Sequence, residues 1–360
     1  MSRKKTVAIL FGGKSVEHKV SLRSARNIYD NIDKEHYDVF LIGISQEGAW
    51  YYLENFTFDI EKGEPIATKL SQEKDIFYTC KDNKSIGEID IFFPVLHGND
   101  GEDGSVQGLL RTLNKPMVGT GVLGSAVVFD KVCSKRLMTE AGIPNAKFLV
   151  YTIEDISNID FNFVKKILGI PFFIKPVASG SSVGVSKVTG EDNFRTAIED
   201  TFQYDNAVLI EEYVKGREIE CSVKGNLFPD VSQPGEISVV GDHDFYSFDA
   251  KYVDDSGAKL DMPAILDEKV KGKIQEIAVK AYQTLYCEDF ARVDLFLKEN
   301  GEIYVNEVNS IPGFTHISMF PQLWKLNGLS YTDLITELIE SAFKKHKRQD
   351  RIRRDFESAL

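Results

Sequence analysis

The sequence predicts an α/β chain that opens with a parallel sheet and continues in longer, openly alternating strands. Three observations support this. Continuous apolar runs that end in a glycine-bearing turn and feed a helical pattern recur at residues 6–11 and 89–96, as buried parallel strands do. After Gly142 the strands lengthen and alternate with a period of two, most clearly at 218–223. Near the carboxyl end, residues 290–313 read as a β-hairpin around Asn300-Gly301, a dipeptide that favours a two-residue type I′ turn.

Taken in order, residues 6–11 end in Gly12-Gly13, but GxGxxG is absent and Ala8 stands where a phosphate loop needs glycine. The next segment enters an amphipathic helix through Ile28 and Ile32. Glu17, at its start, either complements the helix dipole or serves a site. Tyr37–Ile44 reads as a second buried strand and residues 48–54 as a short one. Residues 89–96 lead to His97 and a glycine-rich turn over 98–104, then to a helix over 106–113. At the carboxyl end of such a strand His97 is either structural or ligand-facing. Residues 116–121 precede a single expected helix over 124–141, which carries Asp130-Lys131 and stops at Gly142.

Phe172–Pro176 is a strand bearing Lys175, followed by a loop of small residues at 178–184, with Ser181 and Ser182, and a strand at 185–188. The loop either cradles phosphate with its backbone N–H groups or is an ordinary Gly-Ser turn. Lys131 and Lys175 offer local positive charge in a net-acidic chain. Residues 208–214 form an apolar strand interrupted by Glu211 and Glu212, which either meet a nucleotide or guard an exposed edge. Residues 241–263 show no stable period and read as a lid loop. A helix over 267–286 buries Val270, Ile274, Ile277, Ala281 and Leu285. Residues 310–321 read as a binding loop, and Ser330 caps a last helix with Leu334, Leu338 and Ala342 inward.

Counting outward from the hairpin turn sets Glu299 against Glu302, Lys298 against Ile303, Asp294 against Glu307 and Arg292 against Asn309. Alternation then puts Arg292, Asp294, Glu307 and Asn309 on one face. Two facing carboxylates about 5 Å apart repel by roughly 3 kcal/mol at an effective dielectric of about 20. Either Arg292 bridges them or a hard cation does. Oxygen ligands from Asp, Glu and Asn suit Mg²⁺ or Mn²⁺ shared with phosphate.

At 360 residues the chain has room for two or three domains and a large core. Its net charge of −12 argues against a general nucleic-acid or anionic-membrane binder. No apolar run reaches membrane-spanning length, and the first is too short for a signal segment. Cysteines 80, 133, 221 and 287 form no CxxC pair, so neither zinc nor a disulfide framework is indicated and the cytoplasm is the expected compartment. The basic tail after the last helix reads as a solvated helix end.

The segments FGGKSVEHKVSL, FPVLHGNDGEDGSVQG, GTGVLGSA, FFIKPVASGSSVGVSKV, VLIEEYVKGREIE, FDAKY, ARVDLF and NEVNSIPGFT follow one another from Phe11 to Thr315. In this order they resemble the D-alanine:D-alanine ligase family of the ATP-grasp superfamily. The resemblance implies a three-domain ATP-grasp architecture. Its parts would be an amino-terminal α/β domain at 1–123 that binds the first D-alanine, a central subdomain at 124–215, and a carboxyl-terminal subdomain at 216–360 with the lid at 241–263 and a metal hairpin at 290–309. ATP would lie between the last two.

By motif position, the resemblance implies that Lys131, Lys175 and Ser182 meet ATP phosphates, that Glu211, Glu212, Tyr213 and Val214 line the adenine edge, and that Glu218 holds ribose. Asp294, Glu307 and Asn309 would hold two Mg²⁺ or Mn²⁺ ions. Glu17 would hold the first ammonium through a network with Ser181 and Tyr252. Arg292 and the Gly313 N–H would stabilise an oxyanion, and Lys251 would meet the transferred phosphoryl group. His97, Ser318 and Met319 would serve the second substrate. The implied partners are D-alanine, ATP and a second copy in a homodimer, with neither nucleic acid nor membrane. Lys19, Asp249 and His316 depart from the common pattern. D-alanine:D-serine ligation is the alternative within the family, and a non-catalytic ATP- or amino-acid-binding module the alternative outside it.

Overall fold

The computed structural model describes residues 3–70, 75–239 and 258–353. Its first sheet is built from β1 (Lys5–Gly12), β2 (Tyr37–Ile44), β3 (Trp50–Leu53), β4 (Glu64–Thr68), β5 (Phe77–Thr79) and β6 (Ile91–Pro94), with α1 (His18–Asn31) crossing from β1 to β2. Their order is β5-β4-β3-β2-β1-β6. β1 runs parallel to both β2 and β6. The strand order therefore reverses at β1, and a crevice opens beyond the carboxyl ends of β1 and β6. The other half of the sheet departs from the parallel expectation, since β3, β4 and β5 add antiparallel. Only Ile66 of β4 is buried, and a strand with one wetted face suits an antiparallel edge.

The expected helix over 124–141 is two helices, α3 (Val122–Phe129) and α4 (Lys131–Glu140), following α2 (Ser105–Thr112). Asp130 breaks it by taking extended backbone and accepting a 2.8 Å bond from Cys133 N with its own carboxylate, a cap that competes with helix continuation. Lys131 N then donates to Val177 O at 3.1 Å, tying the start of α4 to the second sheet.

That sheet comprises β7 (Phe148–Thr152), β8 (Phe172–Pro176), β9 (Ser186–Val188) and β10 (Ala207–Glu212), ordered β7-β10-β8-β9, with α5 (Phe161–Leu168) and α6 (Phe194–Thr201) on it. The third sheet holds β11 (Arg217–Lys224), β12 (Asp230–Val231), β13 (Gly235–Val239), β14 (Ala258–Asp261), β15 (Phe290–Leu297) and β16 (Ile303–Asn309), with α7 (Glu268–Thr284) against it. β14 takes up residues expected to be irregular and pairs with β13 from Glu236↔Asp261 to Val239↔Ala258.

The hairpin closes differently from the expected turn. A type I′ turn needs positive φ at both central residues, and only Gly301, at +81°, has it. Instead Gly301 N bonds Lys298 O at 2.9 Å, Lys298 N bonds Glu302 O at 2.9 Å, and Asn300 Oδ1 accepts from Glu302 N at 3.1 Å. Lys298 thus faces Glu302, with a 2.6 Å ion pair between their side chains, and Leu297 rather than Lys298 faces Ile303. Opposite charges face each other where the two-residue turn would have set Glu299 against Glu302. A β-bulge then shifts the register between Leu295↔Val305 and Asp294↔Glu307. The extra residue, Asn306, cancels the one-residue difference at the turn, so Asp294 still faces Glu307 and Arg292 still faces Asn309.

Residues 310–321 are only partly loop, because α8 (Met319–Leu326) begins within them. α9 (Tyr331–Asp350) is capped by Ser330, which accepts from Asp333 N. Its buried Leu334, Ile335, Leu338, Ile339 and Ala342 share a core with Val7, Ile9 and Phe11 of β1. Phe290, at the head of β15, packs its ring against Phe93, Phe314 and Phe320, which joins the first sheet to the third. Beside it Lys345 of α9 donates to Gly119 O and pairs with Asp289 at 2.6 Å, while Asn226 and Ser341 each bond Asp289 at 2.9 Å. Lys345→Met would leave Asp289 buried with neutral donors only and is expected to cost about 3–5 kcal/mol. A thermal melt should show the midpoint several degrees lower, and an unchanged midpoint would refute that role for the pair.

Candidate active site

The period-two alternation of β8 and β10 sends Lys175 and Glu211 to one face, where they line a cavity of about 190 Å³ between the second and third sheets. Lys131, Ser179–Ser182, Glu212, Tyr213, Val214, Glu218, Glu220, Arg292, Asp294, Asn306 and Glu307 also line it. A smaller recess continues from Lys131, Lys175 and Glu307 towards Glu102, Asn309 and Ser310.

One end of this chamber is cationic. Glu211 accepts from Lys175 at 3.0 Å and pairs with Lys135 at 2.7 Å. Burial by itself would raise the Glu211 carboxyl, but the two lysines outweigh it and bring it down to about 2. Burial likewise opposes charge on Lys175, yet Glu211 and Glu307 hold it above its usual value. Burial is the largest influence on Lys131 and pulls it below. Its ammonium donates to Ser179 O. The 178–184 loop beside these lysines holds Ser181 and Ser182 in left-handed conformations, at φ +51° and +59°. Ala178 N anchors it by a 2.7 Å bond to Asp205.

Ser181 also reaches the first sheet, where its hydroxyl donates to Glu17. Glu17 is the N-cap residue of α1 and is buried; it makes no side-chain cap and turns its carboxylate to Ser181 from the positive end of the helix. A Cβ on Gly180 would fall 2.4 Å from Glu17 Oε2, which is why glycine stands there. His97 is buried close by, with Nε2 3.2 Å from Ser24 Oγ, and burial depresses its pKa although Glu17 works the other way. Ser24 Oγ in turn accepts from Phe314 N at 3.2 Å.

The hairpin supplies the acidic wall. Arg292 Nε and Nη2 each donate to Asp294 at 2.7 Å, Nε lies 3.0 Å from Glu220, and Asn309 Nδ2 donates to Asp294 at 3.0 Å. Burial disfavours charge on Arg292, but Asp294 and Glu220 keep it firmly cationic. Glu307 faces Asp294 across the ladder. Among the described residues no three His, Cys, Asp or Glu side chains gather as a metal cage. Two carboxylates and an amide oxygen next to a cationic recess suit instead a hard ion that completes its shell with phosphate and water.

Gly313, Ser318 and Met319 line neither cavity. A Cβ on Gly313 would lie 3.0 Å from Ser318 Oγ, so those two are neighbours. The Ser318 hydroxyl accepts from Thr315 N at 3.0 Å, and Met319 is buried with Ile237 and Leu323. Lys251 and Tyr252 lie outside the described residues, as does Asp249.

Residues 6–120 match the family model described as D-ala D-ala ligase N-terminus, and residues 137–340 that described as D-ala D-ala ligase C-terminus. The chain is 49% identical to the D-alanine–D-alanine ligase of Shouchella clausii over 97% of its own length and 98% of that protein's. The chain belongs to the D-alanine–D-alanine ligase family. Its fold is accordingly the ATP-grasp fold. The solved D-alanine–D-alanine ligase of Coxiella burnetii superposes with a TM-score of 0.87 at 32% identity, covering 97% of each chain. The D-Ala:D-Ser ligase VanG of Enterococcus faecalis gives 0.85 at 35%, covering 94% of this chain and 100% of that one.

Within this ATP-dependent ligase fold, three titratable side chains at the site escaped sequence reasoning, the buried Lys135 and Glu220 and the half-buried Glu102. Lys135 stands one helical turn after Lys131, a spacing visible once α4 is recognised. Glu220 follows Glu218 by two residues on the same strand face, but its pairing opposite Asp294 depends on sheet order. Glu102 was one acid among several in a polar turn. Burial first, then Glu17, drives its carboxyl up to about 8, while Oε2 accepts from Gly98 N at 2.7 Å.

Because Glu211 lies at about 2 when folded against an ordinary 4.5, it adds stability that is full above pH 4.5 and lost as pH falls through about 2. Glu211→Gln is therefore expected to be less stable than wild type at neutral pH. Denaturant titrations should show the gap narrowing from pH 4.5 down to 2, and a gap independent of pH would refute this account.

Proposed function

We propose that this chain joins two D-alanine molecules into D-alanyl-D-alanine at the expense of ATP, through an acyl phosphate. The convergence of Lys131 and Lys175 with the Asp294–Glu307 face across one chamber carries the reading, because phosphoryl transfer depends on positioning and charge stabilisation. Lys131, Lys175 and the 178–184 loop with Ser182 bind the phosphates. Glu212, Tyr213 and Val214 line the adenine edge and Glu218 holds ribose, while Glu211 keeps Lys135 and Lys175 in place. Asp294, Glu307 and the Asn309 amide oxygen would hold two Mg²⁺ or Mn²⁺ ions. Asn309 must turn its amide for this, as its N–H now faces Asp294. Bound there, such ions would supply positive charge to the phosphates of ATP.

Behind Ser181, Glu17, oriented by that hydroxyl and with Tyr252 as a third member, holds the ammonium of the first D-alanine, so that its carboxylate meets the γ-phosphate. Lys251 meets the phosphoryl group as it transfers. The second D-alanine lies near His97, Ser318 and Met319, and its amine attacks the acyl carbon. Arg292 and the Gly313 N–H receive the negative charge on the carbonyl oxygen, and phosphate departs. The product is a precursor of peptidoglycan. The domains of the proposed architecture follow the boundaries 1–123, 124–215 and 216–360.

Four unpaired cysteines, and no described helix long and apolar enough to cross a membrane, are compatible with the cytoplasm as its compartment. The proposed assembly is a homodimer, to be tested by light scattering. A second reading, D-alanine:D-serine ligation, is favoured by the VanG likeness. Purified protein with ATP, Mg²⁺ and D-alanine, with or without D-serine, should release ADP and form chiefly D-alanyl-D-alanine. A preference for the mixed dipeptide selects the second reading, and ATP binding without amino-acid-dependent ADP removes both. Glu307→Gln should lower kcat by about 100-fold or more at an unchanged melting midpoint. Unchanged turnover would exclude Glu307 from the metal site.

A further inference from the structure

Arg292 stands between two acids that differ in what else they face. Asp294 lies in the cavity opposite Glu307 and takes both guanidinium bonds at 2.7 Å. Glu220 sits on the neighbouring strand, directly opposite Asp294 in the β11–β15 ladder, with its carboxylate 3.0 Å from Arg292 Nε. Its side chain is only 5% exposed. The same Nε thus hydrogen-bonds Asp294 and already lies within ion-pair distance of Glu220.

A divalent cation on the Asp294–Glu307 face competes with Arg292 for the Asp294 oxygens. Were Asp294 the only partner, an arriving ion would strand a buried guanidinium, which is strongly unfavourable. Glu220 removes that difficulty, since the guanidinium exchanges one carboxylate for another at nearly the same distance and keeps its place in the chamber wall. We propose, resting on the metal reading above, that Glu220 is a positioning residue. It takes over the ion pair of Arg292 when a divalent cation occupies Asp294, and so couples metal entry to an Arg292 that stays aimed at the reacting carbonyl.

The test uses Mn²⁺ alone, titrated into the full chain and followed by electron paramagnetic resonance, with wild type, Glu220→Asp and Glu220→Gln. Glu220→Asp keeps the charge but is one methylene too short to hold Arg292. Both variants are expected to weaken Mn²⁺ binding, by about tenfold. In turnover assays each should need more Mg²⁺ for half-maximal rate and show a lower kcat, with the KM for ATP little changed at saturating Mg²⁺. Mn²⁺ affinity unchanged in Glu220→Asp overturns the proposal whatever Glu220→Gln does, because weakening confined to the glutamine variant is the loss of one nearby charge. This holds also where Glu220→Gln fails to fold. Failure of the underlying reading is separate: wild type itself would then bind no Mn²⁺ and release no ADP.

Discussion

Two carboxylates that face each other across one antiparallel ladder set the terms for the rest of the site. Asp294 and Glu307 occupy a wall of low exposure, where like charges are costly and a cation must be supplied. The chain supplies one in Arg292 and answers its charge with Glu220. Across the chamber the logic repeats with signs reversed. Lys131, Lys135 and Lys175 converge, and Glu211 holds two of them. Two clusters of paired buried charges thus line one chamber, a lysine-rich one and a carboxylate-rich one.

Holding these charges requires stiff surroundings. The Phe93, Phe290, Phe314 and Phe320 rings and the Lys345–Asp289 pair fix the entrance of β15 against the first sheet. Arg292 and Asp294 follow within five residues of that anchor. The helix that carries Lys345 shares a core with β1, whose carboxyl end leads to Glu17. Chamber-wall groups of the third sheet and Glu17 beside the first are therefore referred to one shared core, although no sequence neighbourhood links them.

The hairpin shows how a sequence argument reaches the right pair by an incomplete route. The count from Asn300-Gly301 assumed a two-residue turn, whereas the chain uses a three-residue loop closed by Gly301 and the Lys298–Glu302 pair. Asn306 then bulges and restores the register at Asp294. Turn type and bulge are decided by φ values and by cross-strand charge, which local composition expresses weakly. Asp130 is a similar case, because its residue type permits both a helix interior and a cap, and the bond from Lys131 N to Val177 belongs to the capped form.

By itself the sequence determined the strand–helix alternation at the start, the long period-two strands after Gly142, the carboxylate face of the hairpin and, through eight ordered motifs, the family. These are properties of local spacing, and side-chain periodicity carries them without knowledge of partners. Tertiary structure decided that β3 to β5 run antiparallel, that the Glu17 carboxylate turns to Ser181 and makes no side-chain cap, that Glu211 serves two lysines, and that Glu220 stands behind Arg292. Each of these depends on which distant segment lies alongside, and burial then converts that neighbour into a charge state.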